Sequence, residues 1–75
     1  MRCVIYYKES DVNEAVSYYI SIMERALNNH FEIVDRVHSI NEINSDDVVA
    51  MISHRCFWEI LKRNRRQKII TREHG

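Results

Sequence analysis

The residues able to do chemistry in this 75-residue chain are four histidines, two cysteines, an acid pair and a basic run. His30, His38, His54 and His74 are scattered. His54-x-Cys56 is not a zinc spacing, and no CxxC or HxxxH occurs, so no metal site is expected. Cys56 falls near an expected helix start, where a thiol becomes more acidic. It also shares an apolar stripe with Phe57 and Ile60, which reads as core. Asp46-Asp47 precede an apolar run and suit either cation binding and proton transfer or a solvated strand mouth. There is no phosphate loop, no GxSxG and no dinucleotide fingerprint, and no cofactor is implied. The run KRNRRQK (62–68) offers Lys62, Arg63, Arg65, Arg66 and Lys68 to an anion or to nucleic-acid phosphates. Single-strand recognition adds exposed aromatics, for which Tyr6, Tyr7 and Trp58 are the candidates. Cations at a solvated helix end, where the macrodipole favours them, account for the same run.

Charge is balanced overall but unevenly placed. Residues 1–50 hold four Lys/Arg against nine Asp/Glu, a balance of −5, and residues 51–75 hold seven against two, a balance of +5. Such asymmetry marks an anion-binding face or two halves that compensate in the fold. The length is that of one small domain, and the 45% hydrophobic content is ordinary for a globular protein. With no Pro and one Gly, linkers and tight hairpins are not expected. No apolar run approaches the ~20 residues of a membrane span. The apolar stretch in MRCVIYYKES is too short for a secretory signal, so a cytoplasmic protein with two buried thiols, Cys3 and Cys56, is expected.

The positioning elements follow from periodicity. CVIYY (3–7) is a continuous apolar run rich in β-formers, the mark of a strand covered on both sides. Ser10 or Asp11 can cap the next helix, whose apolar stripe is Val12, Ala15, Val16, Tyr19, Ile22, Met23, Ala26 and Leu27. Asn28-Asn29 ends it, Asn tolerating the left-handed conformation. FEIVDRV (31–37) is a second strand. Ser39-Ile40-Asn41-Glu42 fits a capping box opening a one-turn helix, or belongs to a polar loop. VVAMI (48–52) is a third strand, Ser53 caps a second helix over about 54–64, and residues 68–71 form a fourth strand.

The order is β-α-β-(turn)-β-α-β in a single α/β domain, 1–75. Two architectures fit. An all-parallel sheet is half of a doubly wound fold, with the turn as a shrunken crossover. An antiparallel pairing of strands two and three gives a ferredoxin-like α+β sandwich, with Tyr6 or Tyr7 on an open face of the kind RNA-recognition domains use. The short gap from Val37 to Asp47 favours the second, and the two-sided burial implied by CVIYY and VVAMI favours the first. One pair of helices hardly covers those runs, so self-association is expected to complete the sheet. In an open α/β sheet, ligands bind beyond the carboxyl ends of the strands. That rim holds Lys8, Glu9 and Ser10, then Ser53, His54 and Arg55, then Glu73, His74 and Gly75. The ligand-binding candidates are Ser10, Ser53, His54, Arg55 and His74, a set suited to a polar sugar or phosphate, with the start of the second helix supplying N–H groups.

SDDVVAMIS, then FWEILKRN, a basic turn and KIITREHG form a succession that resembles the N-terminal Rossmann-like domain of bacterial GT-B-type glycosyltransferases. The long helix EAVSYYISIMERAL suits the same comparison, which spans nearly the whole chain. YYKESDVN departs from the glycine-rich turn that many members carry after strand one. The resemblance implies a glycosyltransferase-like N-terminal domain or fragment, not catalytic alone, that relies on a missing second domain. The competing expectations are a ferredoxin-like module for RNA or another anion, and a small protein-interaction domain.

Overall fold

The computed structural model describes residues 1–51 and 54–70. Strands β1 (Arg2–Tyr6), β2 (Ile33–Val37), β3 (Val48–Met51) and β4 (Lys68–Ile70) form one sheet. Its order is β2-β1-β3-β4 and every pairing is parallel. Cys3 pairs with Val34 on one side and Val48 on the other, and Val48 pairs in turn with Lys68, which fixes β1 and β3 as the interior strands. The domain is α/β, with a four-stranded parallel sheet and two helices, α1 (Glu14–Leu27) and α2 (His54–Arg63).

The antiparallel pairing required by the ferredoxin-like alternative is overturned, since β2 and β3 run parallel and are separated by β1. A ten-residue connection, 38–47, makes the crossover. It suffices because the strands are short: five and four residues at ~3.3 Å each give about 13–17 Å. Ten residues reach up to ~33 Å, which leaves slack for one turn. That turn is a 3-10 segment, Ile40–Glu42, opened by a complete capping box. The Ser39 side chain accepts from the Asn41 N–H at 3.3 Å, and the Glu42 carboxylate accepts from the His38 and Ser39 N–H groups, each at 3.0 Å. The polar-loop alternative for this stretch is thereby excluded.

The helices lie on opposite faces. Val4, Tyr6 and Val49 pack with Val37, Ile43, Cys56 and Ile60 beneath α2 and the crossover. Cys3, Ile5, Val48 and Ala50 pack with Tyr7 and Ile20 beneath α1. Val4, Ile5 and Val49 are all 0% exposed within one chain. Residues 3–7 and 48–50 of these runs are thus covered within one chain, and among the described residues they give no reason for self-association. Cys3 and Cys56 are buried on opposite faces of the sheet.

The register of α1 differs from its expected stripe. Ile20 is 1% exposed, with Val16, Met23 and Leu27 beside it, whereas Ile22 is 48% exposed. The inward positions 16, 20, 23 and 27 keep the i, i+4, i+7, i+11 spacing. The cap is Asn13, whose side chain accepts from the Val16 N–H at 2.8 Å, while Ser10 and Asp11 belong to a separate 3-10 turn, Glu9–Asp11. Asn28 ends the helix in the right-handed conformation, φ −62°. The chain closes there through the His30 and Phe31 N–H groups on the Leu27 carbonyl, at 2.9 and 3.0 Å.

Candidate functional site

Parallel order places a crevice where connections leave neighbouring strands toward opposite faces. Here β1 feeds α1 on one face and its neighbour β3 feeds α2 on the other. Tyr6 ends β1 at this carboxyl pole. Its ring is in the α2-side core, and its hydroxyl donates to the Glu59 carboxylate of α2. Lys8 Nζ donates to the Tyr6 hydroxyl at 2.8 Å and stands 3.5 Å from Glu59 Oε1. The ammonium also lies 5.1 Å from the Tyr6 ring centroid, a cation–π arrangement.

These contacts fix the protonation states. Burial first, then the bond to Glu59, raises the Tyr6 phenol. The Tyr6 hydroxyl holds Glu59 below the usual carboxylate range, with Lys8 adding to the effect. The same hydroxyl raises Lys8. At neutral pH the cluster is a neutral phenol, a carboxylate and an ammonium. It can donate and accept hydrogen bonds and hold a charge, but none of the three is tuned as a general base near neutrality. The Lys8 and Glu59 side chains are each 43% exposed, so solutes reach them.

Across the rim, His38 follows β2. Its Nδ1 is 3.4 Å from the Tyr7 carbonyl, its Nε2 is 3.7 Å from Glu9 Oε1, and its ring meets Tyr7 edge-on at 4.7 Å. Ser10 is exposed on the 3-10 turn at the same pole, and α2 begins there with His54 and Arg55. Ser53 and His74 lie outside the described residues. Tyr6, Glu59 and His38 were absent from the expected ligand set. Tyr6 reads as core by composition, and Glu59 sits beside the Cys56–Ile60 stripe with nothing local to mark a partner 53 positions away.

The basic residues occupy the opposite pole. Helix α2 runs back toward the amino ends of the strands, so Lys62 and Arg63 close it there, Arg65 and Arg66 form the turn, and Lys68 opens β4. The two expected sites are therefore separate. The Arg63 guanidinium donates to the Ile40 carbonyl, fastening the crossover. Among the described residues, no carboxylate lies within ion-pair distance of Lys62, Arg65, Arg66 or Lys68. Trp58, 66% exposed, lines a cleft of about 450 Å³ with Leu61, Lys62 and Arg65.

The acid pair divides. Asp46 is exposed, whereas Asp47 is buried and accepts from the Asn44 N–H at 2.8 Å. Arg2 Nη1 lies 3.7 Å from the Asp47 carboxylate. Asp47 is committed to structure rather than to a cation or a proton. Among the described residues no three His, Cys, Asp or Glu side chains are grouped to hold a metal. Cys56 is 2% exposed, which withholds its sulfur from a substrate. Burial and the Asp47 charge push the Cys3 thiol up to about 11. No helix among the described residues is long and apolar enough to cross a membrane.

No protein family, curated protein or solved structure matches the chain.

Proposed function

We propose that this chain is a Rossmann-like binding unit of the glycosyltransferase-like kind, not catalytic alone, that holds a polar sugar or phosphate group on its carboxyl rim. The observation that supports this is the parallel order β2-β1-β3-β4 with helices on opposite faces, the topology in which open α/β sheets bind ligands beyond the ends of the strands, here β1 and β3. Lys8 supplies charge to a phosphate there. The Glu59 carboxylate, oriented by Tyr6, accepts from sugar hydroxyls, and Ser10 adds an exposed hydroxyl. The rim grips a ligand from one side only, and a second domain or partner chain encloses the other.

The test is an amide chemical-shift titration of the whole chain with a nucleotide-sugar such as UDP-glucose. Shifts concentrated at Lys8, Ser10 and His38, and lost in Lys8→Ala, are expected. No shifts at millimolar ligand, or shifts confined to residues 62–66, would overturn the reading.

A further inference from the structure

The outer face of α2 carries a feature that the rim does not use. Trp58, Leu61, Lys62 and Arg65 follow the i, i+3, i+4, i+7 spacing of one helical face and its extension. They line one cleft, large enough for a planar base. Phe57 meets the Trp58 ring edge-on at 5.5 Å and steadies it, while about two-thirds of the indole residue stays in water. Arg66 and Lys68 continue the positive track past the helix end. A flat π-surface flanked by cations without carboxylate partners among the described residues matches the two things a nucleic-acid strand presents, stackable bases and spaced phosphates.

We propose that this face binds single-stranded nucleic acid, with a base stacked on Trp58 and adjoining phosphates held by Lys62 and Arg65. The sheet itself is unavailable for the purpose, because Tyr6 and Tyr7 are buried. An anionic membrane is the poorer fit. Interfacial helices bury a broad apolar face, and here that face of α2, with Cys56 and Ile60, is spent on the core.

Trp58 is the only tryptophan in the chain, so its fluorescence reports on this site alone. Titration of the whole chain with oligo(dT) or oligo(U) at low salt is expected to quench it. The two phosphate contacts give a log–log salt slope of about −1.4. By anisotropy of a labelled oligonucleotide, Trp58→Leu weakens binding about tenfold, and Lys62→Glu with Arg65→Glu weakens it further. Arg25→Glu, on exposed α1 surface, makes half that charge change elsewhere and leaves affinity within about twofold. Far-ultraviolet circular dichroism confirms the fold of each variant. Absence of quenching, unchanged affinity in Trp58→Leu, an equal loss in Arg25→Glu, or a Trp58 response to anionic vesicles but not to oligonucleotides would each overturn the proposal.

Discussion

Replacing Asp47 tests how the short crossover is locked to the sheet. Its carboxylate accepts from the Asn44 N–H at 2.8 Å and faces Arg2 at 3.7 Å. Its carbonyl accepts from Gln67 Nε2 at 2.6 Å, tying the crossover to the turn before β4. Asp47→Ala removes a charge-assisted hydrogen bond worth about 1.5–3 kcal/mol and leaves a donor short of its partner. The Arg2 loss is smaller than for an isolated buried pair, because Arg2 keeps Asp35 at 3.2 Å and the Glu42 carbonyl at 3.2 Å. A total of about 2–3 kcal/mol follows for Ala. Asp47→Asn keeps an acceptor for the Asn44 N–H and deletes only the charge, so about 1 kcal/mol is expected. A chain of this length has a stability of about 4–11 kcal/mol. With a urea slope near 1 kcal/mol/M, the midpoint falls by about 2–3 M for Ala and about 1 M for Asn. Equal losses in the two variants would refute the separation of cap from charge, and an unmoved midpoint in both would refute the locking role.

Tyr6→Phe removes the hydroxyl shared by Lys8 and Glu59 and costs about 1 kcal/mol or less, since both partners can turn to water. Glu59 is held low, so its contribution is present above the unfolded carboxylate range and is lost as pH falls through its folded pKa; Tyr6 is raised, so its contribution is present below an unfolded pKa of 10.0 and is lost as pH rises through the folded value. Urea midpoints across pH should therefore show the wild type and Tyr6→Phe furthest apart near neutrality and converging at both ends, and parallel curves would contradict the cluster. For the thiols, labelling with a maleimide is expected to be slow at both Cys3 and Cys56 in native buffer and fast in urea, given their burial and the raised Cys3 pKa. Rapid native labelling at either position would show that its sheet face opens.

The interior strands were legible because burial on two sides demands unbroken apolarity, which CVIYY and VVAM supply. The Ser39–Glu42 capping box was legible because both partners lie within one turn. The face of α1 was not. Residues 18–23, YYISIM, are apolar almost all round, so periodicity cannot choose between Ile20 and Ile22; the sheet chooses, by offering Ile5 and Val48 to Ile20. The shrunken crossover was legible from the two-sided burial of the strands, whereas the length rule that pointed to the antiparallel alternative presumes longer strands. At the rim, Lys8 and Ser10 followed from topology, but Tyr6–Glu59 is a tertiary contact with no local signature. The basic run was visible as charge, while its distance from the rim depended on the direction of α2.

That direction also decides how much of the basic run helix electrostatics can explain. Helix α2 starts at the carboxyl rim and ends at the amino pole, so its negative dipole end favours Lys62 and Arg63, the two cations of its last turn. Arg63 is further engaged by the Ile40 carbonyl. The dipole acts within about one turn of the helix end, and Lys68 lies in β4, beyond it. Arg65 and Arg66 stand in the connecting turn, where a neutral polar residue would serve the chain path equally well: Asn64 and Gln67 make the turn's own hydrogen bonds. Among the described residues, the positive charge there exceeds what ion pairs and the helix dipole engage. Surplus charge beside an exposed indole is the reason to assign a ligand to this pole, and its separation from the rim by the length of the strands lets the two sites be tested one at a time.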